Sequence, residues 1–314
     1  MLPYWVQPHW HGVKLIMISK AMSKILYGIL WLISFLPLWF LYILSDITFV
    51  FIYGLIRYRR KLVKKNLKNS FPEKSKKELK QIEWKFYRHL CDTFIESVKL
   101  WHMSEKEAKK RIIFTNKELV TTPLDNNTGV MVIGGHMGNW EWDTAFGLFF
   151  GNNVAFMPLY KTLHNSTFDK MMLQIRSHFG ASPMHKKEML RKVIKSKKDG
   201  KVPLIAFIAD QRPKKSTSHV WTTFMNQPTA VFPGGEKMVE MFGLTTMYIH
   251  TRMPKRGYYE ITFIPIKKEE CNYDEFPITK RFTELLELNI KEQPEIWLWS
   301  HSRWRYKPED ITKG

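Results

Sequence analysis

The sequence predicts an α/β fold, a central and mainly parallel sheet flanked by helices, with an apolar membrane-anchor helix ahead of it. Three observations lead there. The runs GVMVI (129–133), NVAFMPLY (153–160) and KVPLIAFIAD (201–210) are continuously apolar over strand lengths, as expected of strands covered on both faces. The segments STFDKMMLQIRSHFG (166–180) and KKEMLRKVIKSKKDG (186–200) lie between strands, carry helical spacing and end in glycine; such alternation builds parallel sheets. The stretch ILYGILWLISFLPLWFLYILS (25–45) has no charge and matches the roughly 20 apolar residues that cross a bilayer.

Taken in order, residues 1–22 form an N-terminal extension with no recognisable element. Residues 23–56 are the anchor, in which Pro37 either kinks one long tilted span or separates a span from an interfacial helix; a single anchor is the reading adopted. Residues 57–314 form the domain that follows. Its first stretch, RYRRKLVKKNLKNSFPEKSKKELK, is basic and is therefore placed on the cytoplasmic side, where it also attracts anionic headgroups. Leu79, Ile82, Phe86, Leu90, Phe94, Val98 and Trp101 recur at intervals of three and four, predicting an amphipathic helix or helix pair between Lys74 and Lys109. Beyond Pro233, GGEKMVEMFG predicts a helix, TTMYIHTR and GYYEITFIP a strand pair turning around PKRG, and FTELLELNIKEQ a last helix.

Composition bounds the partners. The 49 Lys and Arg against 29 Asp and Glu leave a formal charge of +20, which attracts phospholipid, nucleic acid or an acidic protein. The basic cluster abuts an apolar span and carries few aromatics, which argues against nucleic acid. Two distant cysteines, Cys91 and Cys271, support neither a disulfide framework nor a zinc cluster. No GxGxxG, Walker A, HExxH or GxSxG motif occurs, removing the direct support for nucleotide folds, zincins and α/β-hydrolases.

Polar groups gather where the apolar runs stop: His136, Lys161, and Asp210, Gln211 and Arg212. Ligands of open parallel sheets bind outside the carboxyl ends of the strands. In GGHMGNWEW (134–142), five residues of helix would rotate Glu141 by about 500° from His136, so the two meet only if the histidine lies outside the helix. Gly134, Gly135 and Gly138 permit such a turn, with Asn139 as N-cap. Glu141 could then orient the imidazole while its other nitrogen takes a proton from an attacking hydroxyl; against this stands a histidine and capping glutamate that only finish a turn. Asp210 and Gln211 could position the base or bind substrate, or merely anchor a loop. Arg176 and Arg212 are candidates for phosphate or oxyanion contact. A metal set of His136, Glu141, Asp210 and His301 matches no compact zinc spacing, so no metal and no cofactor are expected.

With these residues in hand, the chain resembles the late acyltransferase family of lipid A biosynthesis. RRKLVKKNLKNSFPE, GGHMGNWE with its HxxxxE spacing, YKTLHNSTFDKMMLQIRSHFG, ADQRP, and PEIWLWSHSRWRYKP follow in the family's order. The resemblance implies a glycerolipid acyltransferase-like sheet and transfer of a fatty acyl group from an acyl carrier protein or acyl-CoA thioester to a hydroxyl of a lipid A precursor. It implies His136 as base with Glu141 as partner, and Arg176, Asp210 and Gln211 as supporting or substrate-binding residues, beside which Arg212 stands as a substrate-binding candidate of its own; the anchor and its basic flank make the chain a single-pass inner-membrane protein with its catalytic domain on the cytoplasmic side. Glutamate at 141, where wider glycerolipid acyltransferases carry aspartate, favours the lipid A branch. FMNQPTAVFPGGE departs from the family pattern, which leaves an aminolipid, another glycolipid or a lysophospholipid as alternative acceptors. A catalytically silent membrane-surface protein is the reading from another class.

Overall fold

A computed structural model describes residues 20–214, 217 and 219–310; the extension expected over 1–22 falls, through residue 19, outside the described residues. Two apolar helices come first, α1 (Lys20–Ile33) and α2 (Leu38–Phe49), the second continuing as a wider-wound turn over Val50–Ile56. Next come α3 (Arg60–Ser70), α4 (Lys76–Lys99), α5 (Glu105–Arg111), the short strand β1 (Ile112–Phe114), α6 (Glu118–Asp125) and the central strand β2 (Val130–Gly134). A 3₁₀ segment over Trp140–Leu148 leads to β3 (Val154–Tyr160), α7 (Ser166–Ser177), β4 (Met184–His185), α8 (Met189–Lys198) and β5 (Val202–Ile208). The chain finishes through β6 (Val220–Phe224), β7 (Gln227–Val231), α9 (Gly234–Phe242), β8 (Thr245–Lys255), β9 (Tyr258–Pro265) and α10 (Pro277–Glu292).

Seven strands form one sheet in the order β1-β9-β8-β2-β5-β3-β4. All its pairings are parallel except β8 with β9, the strand pair that the sequence predicts around PKRG. The continuous apolar runs have the anticipated cause. Successive side chains of a strand point to opposite faces, and β2 sends Met131 and Ile133 into one core with Phe282 and Leu286 of α10, and Val130 and Val132 into the other with Met171 and Ile175 of α7. Each such side chain, fully buried, contributes about 1.5–3 kcal/mol, so a polar residue on either face of β2 would be strongly destabilising. The small antiparallel hairpin β6–β7 is not among the elements predicted.

The amphipathic region before the sheet is α4, a 3₁₀ turn and α5, with Ser75 and Glu78 forming a reciprocal capping box at the start of α4. The stretch expected as one anchor is two helices, interrupted at Ser34–Pro37 because proline restricts the residue before it and cannot extend α1. Leu38–Ile56 is the one described helix long and apolar enough to cross a membrane. Leu38, Leu41 and Ser45 of α2 are buried against the domain, where α2 packs along α4.

Candidate active site

β2 ends at the sheet's carboxyl edge, and the chain leaves it through Gly134, Gly135 and Gly138. A Cβ on Gly135 would lie 2.6 Å from Leu286 Cδ1, and Gly138 has φ +58° with a Cβ position 3.0 Å from both Thr251 and Tyr259. Only glycine fits both constraints at 138 without strain. This turn holds His136 outside the following 3₁₀ segment, which Asn139 caps by accepting the Glu141 amide at 3.3 Å.

The neighbouring strand supplies the imidazole's partner. Gly134 O accepts the Ala209 amide at 2.9 Å, a contact that sets the residue after Ala209 beside the one after Gly135. Asp210 Oδ1 lies 2.5 Å from His136 Nδ1, and its Oδ2 accepts the His136 amide at 3.0 Å. The indole of Trp297 donates to the same Oδ2 at 2.8 Å. Burial would raise the Asp210 carboxyl, but the charge of His136, both of its hydrogen bonds and the Trp297 indole outweigh it and hold the pKa at about 2. An ionised Asp210 fixes the tautomer with the proton on Nδ1 and leaves the lone pair of Nε2 available as a base. That nitrogen faces the Gln211 amide at 3.0 Å and is the one open to the cavity side, while Trp140 packs edge-on to the ring at 4.7 Å.

Glu141, expected to orient the imidazole, does something else. Both its oxygens are engaged by Arg176 of α7, at 2.8 Å from Nε and 2.7 Å from Nη2. A bidentate carboxylate–guanidinium pair saturates the carboxylate's best acceptor directions, and the ring nitrogen that Glu141 was expected to hold is already taken by Asp210. Arg176 is mostly enclosed, and the desolvation disfavours its charge, yet the adjacent carboxylate more than compensates and raises its pKa. The pair thus ties the helix after β3 to the histidine turn.

A cavity of about 290 Å³ opens beside these groups. His136, Glu141, Arg176 and Gln211 line it together with an apolar wall that includes Trp140, Leu159, Phe207, Phe232 and Met238, while Lys161 and Lys186 add positive charge. Asp143 also lines it; burial, followed by the charge of Glu141, raises its pKa well above the ordinary carboxylate value. Arg212 is not brought into the cavity lining. Its amide donates to His301 Nε2 at 3.3 Å, and its guanidinium reaches Ser302 O at 3.1 Å and lies over the Tyr306 ring. Burial pushes the His301 imidazole down to about 3. Among the described residues no group of three or more His, Cys, Asp and Glu side chains is gathered to hold a metal ion, so His136, Glu141, Asp210 and His301 form no such set.

Trp297 is the site residue that sequence reasoning passed over, although it sits in the tryptophan-rich block WLWSHSRW. It arrives through an isolated antiparallel bridge to Met137. The strap that carries it is tied down from the N-terminal side of the domain: Arg59 donates to Ser300 O at 2.8 Å, and Asn66 to Trp299 O at 2.9 Å and His301 O at 3.2 Å.

A profile of the bacterial lipid A biosynthesis acyltransferases matches residues 13–306. The chain belongs to this family. It is 23% identical over 288 residues to the lipid A biosynthesis lauroyltransferase of Escherichia coli (strain K12), covering 90% of this chain and 91% of that one. It is also 23% identical over 283 residues to the lipid A biosynthesis palmitoleoyltransferase of the same strain and to a lipid A biosynthesis acyltransferase of Shigella flexneri, covering 90% of each chain. The relatives' names differ in the acyl group, so membership of the lipid A acyltransferase family fixes acyl transfer and not the length of the chain transferred.

Proposed function

We propose that this acyltransferase transfers a fatty acyl group from a thioester, carried by acyl carrier protein or coenzyme A, to a hydroxyl of a lipid A precursor at the cytoplasmic face of the inner membrane. His136 Nε2 removes the hydroxyl proton as the oxygen attacks the thioester carbonyl carbon. The tetrahedral intermediate collapses by breaking the carbon–sulfur bond, and the departing thiolate recovers the proton from the imidazolium. Asp210 holds the imidazole and stabilises its charge; Glu141 keeps Arg176 at the cavity wall, where the guanidinium faces developing negative charge. Gln211 occupies Nε2 until the acceptor hydroxyl replaces it. The apolar wall suits the acyl chain, and Lys161 and Lys186 suit a phosphorylated acceptor or the phosphate-bearing arm of the donor.

The hydrogen bond between His136 and Asp210 beside the cavity carries this reading. His136→Ala, assayed by mass spectrometry for an added acyl chain on a lipid A precursor with an acyl carrier protein or acyl-CoA donor, is expected to lose transfer while retaining the wild-type far-UV circular dichroism. Undiminished transfer by the folded variant would refute the assignment.

A further inference from the structure

The N-terminal helices divide sharply into two faces. Along α1, α2 and their continuation, Ile29, Leu32, Trp39, Ile43, Ile47 and Leu55 are exposed, Leu32, Trp39 and Leu55 by 63%, 66% and 71%. The opposite face packs on the domain through Leu38 and Leu41 and carries a row of polar bonds. Tyr42 Oη donates to Glu96 at 2.8 Å, Ser45 Oγ to Asp92 at 2.6 Å, and Asp46 accepts Arg256 at 2.8 and 3.0 Å and Arg88 at 3.2 Å. These contacts step backward along α4 as α2 advances, so the two helices lie antiparallel along their lengths. α1 continues the surface past the end of α4: Tyr27 donates to Gln174 at 2.9 Å, Asn165 to Ser23 at 2.9 Å, and Lys99 to Ser34 O at 3.1 Å.

The polar seam falls in the first half of the apolar helix. The 19 residues of Leu38–Ile56 extend about 28 Å at the α-helical rise, so a crossing would put Tyr42–Asp46 deep in the hydrocarbon. Asp92, Glu96 and Arg256 would have to accompany them, with α4 and the β8–β9 turn that carry them, or lose the bonds that Tyr42, Ser45 and Asp46 supply. α1, at 14 residues, is short of a span. One face of these helices is therefore committed to the domain and the other is apolar and open. Beyond Ile56, α3 exposes Lys61, Lys64, Lys65 and Lys68, a basic group suited to anionic headgroups. α7, on which α1 packs, carries Met172 and Arg176 of the cavity wall.

We infer that α1 and Leu38–Ile56 embed in a single leaflet by their exposed faces, without crossing the bilayer, and that this places the cavity beside the leaflet from which a lipid acceptor moves in laterally. The occupant of the apolar surface is one leaflet of an anionic bilayer. The lateral path rests on the proposed acyl transfer to a lipid; the half-embedded geometry is tested independently of activity.

The test uses the full chain with Cys271→Ser, the buried Cys91 retained, and single cysteines introduced as Lys24→Cys, Phe35→Cys and Lys65→Cys. With a membrane-impermeant maleimide, Lys24→Cys and Lys65→Cys are expected to label in inverted vesicles and not in intact spheroplasts, and Phe35→Cys to remain unlabelled in spheroplasts. Labelling of Lys24→Cys or Phe35→Cys from the periplasmic side would establish a crossing and overturn the inference. In a second arm, purified Ile43→Asp/Ile47→Asp is expected to lose flotation with phosphatidylethanolamine–phosphatidylglycerol vesicles and to keep acyl transfer to detergent-dispersed acceptor. Retained flotation, or loss of a dimer in place of lipid binding, would overturn it. His136→Ala labels and floats as wild type on this inference, so a failure of the catalytic reading leaves the topology result standing.

Discussion

Trp297 and Asp210 meet through one hydrogen bond, indole N–H to carboxylate Oδ2 at 2.8 Å, across 87 positions of sequence. The contact joins the end of β5 to a strap that follows α10, and on the proposed mechanism it makes the tryptophan a positioning residue for the base. Trp297→Phe keeps most of the ring and removes the donor. A hydrogen bond to a charged acceptor contributes about 1.5–3 kcal/mol, so the variant is expected to unfold at correspondingly lower urea and to lose kcat more than it raises KM. Rates equal to wild type would show that Asp210 is held adequately without the indole.

Asp210→Asn keeps the shape and removes the charge. Loss of an orienting carboxylate in a base of this type reduces kcat by about 10⁴, and a steady-state assay is expected to show a fall of that order. Stability gives an independent check. The folded carboxyl sits at about 2, below the ordinary 3.8, so its contribution is complete above the unfolded value and is lost as pH falls from 3.8 through about 2. Denaturant titrations should therefore show the wild type ahead of Asp210→Asn at neutral pH, with the gap closing across that acid window.

Glu141 is enclosed and its partner Arg176 mostly so, with side-chain exposures of 2% and 18%. Removing either partner alone leaves an uncompensated buried charge, at about 3–5 kcal/mol. Glu141→Ala and Arg176→Ala are each expected to destabilise by that order, and the double variant by clearly less than their sum. An additive cycle in urea denaturation would mean that the two groups do not depend on each other.

Gly138→Ala places a side chain at φ +58° and 3.0 Å from Thr251 and Tyr259. The left-handed backbone alone costs about 1–2 kcal/mol. A fall of several degrees in Tm is expected, with a larger loss of activity because the same turn aims His136.

Ala206, on β5, lines the cavity and is buried. Ala206→Phe fills part of it, at an overpacking cost of about 1–3 kcal/mol. Competition assays with donors of different chain length are expected to shift toward shorter acyl groups; an unchanged preference would place the chain elsewhere.

The sheet was legible because two-sided burial leaves a plain mark: β2, β3 and β5 are apolar without alternation, and their ends hold His136, Lys161 and Asp210. The pairing at the site was not. Glu141 is near His136 in sequence, whereas Asp210 reaches it only through the register of β2 against β5, which composition does not encode. The partner of Glu141 likewise depends on where α7 docks. The interruption of the anchor was visible in Pro37, and its docked face was written in Tyr42, Ser45 and Asp46, polar residues at helical spacing within an apolar run. That pattern distinguishes a helix with a protein-facing side from one surrounded by lipid, and a hydropathy average hides it. β6–β7 left a weaker signal, since its strands are short and β6 is only partly buried.

The strap holding Trp297, secured by Arg59 and Asn66, also has a consequence for biosynthesis. Translation delivers the apolar helices first and all seven sheet strands next, yet Asp210 lacks its indole donor until the tryptophan block has left the ribosome. On the proposed mechanism, the base therefore acquires its full set of hydrogen bonds only when the tryptophan block has docked.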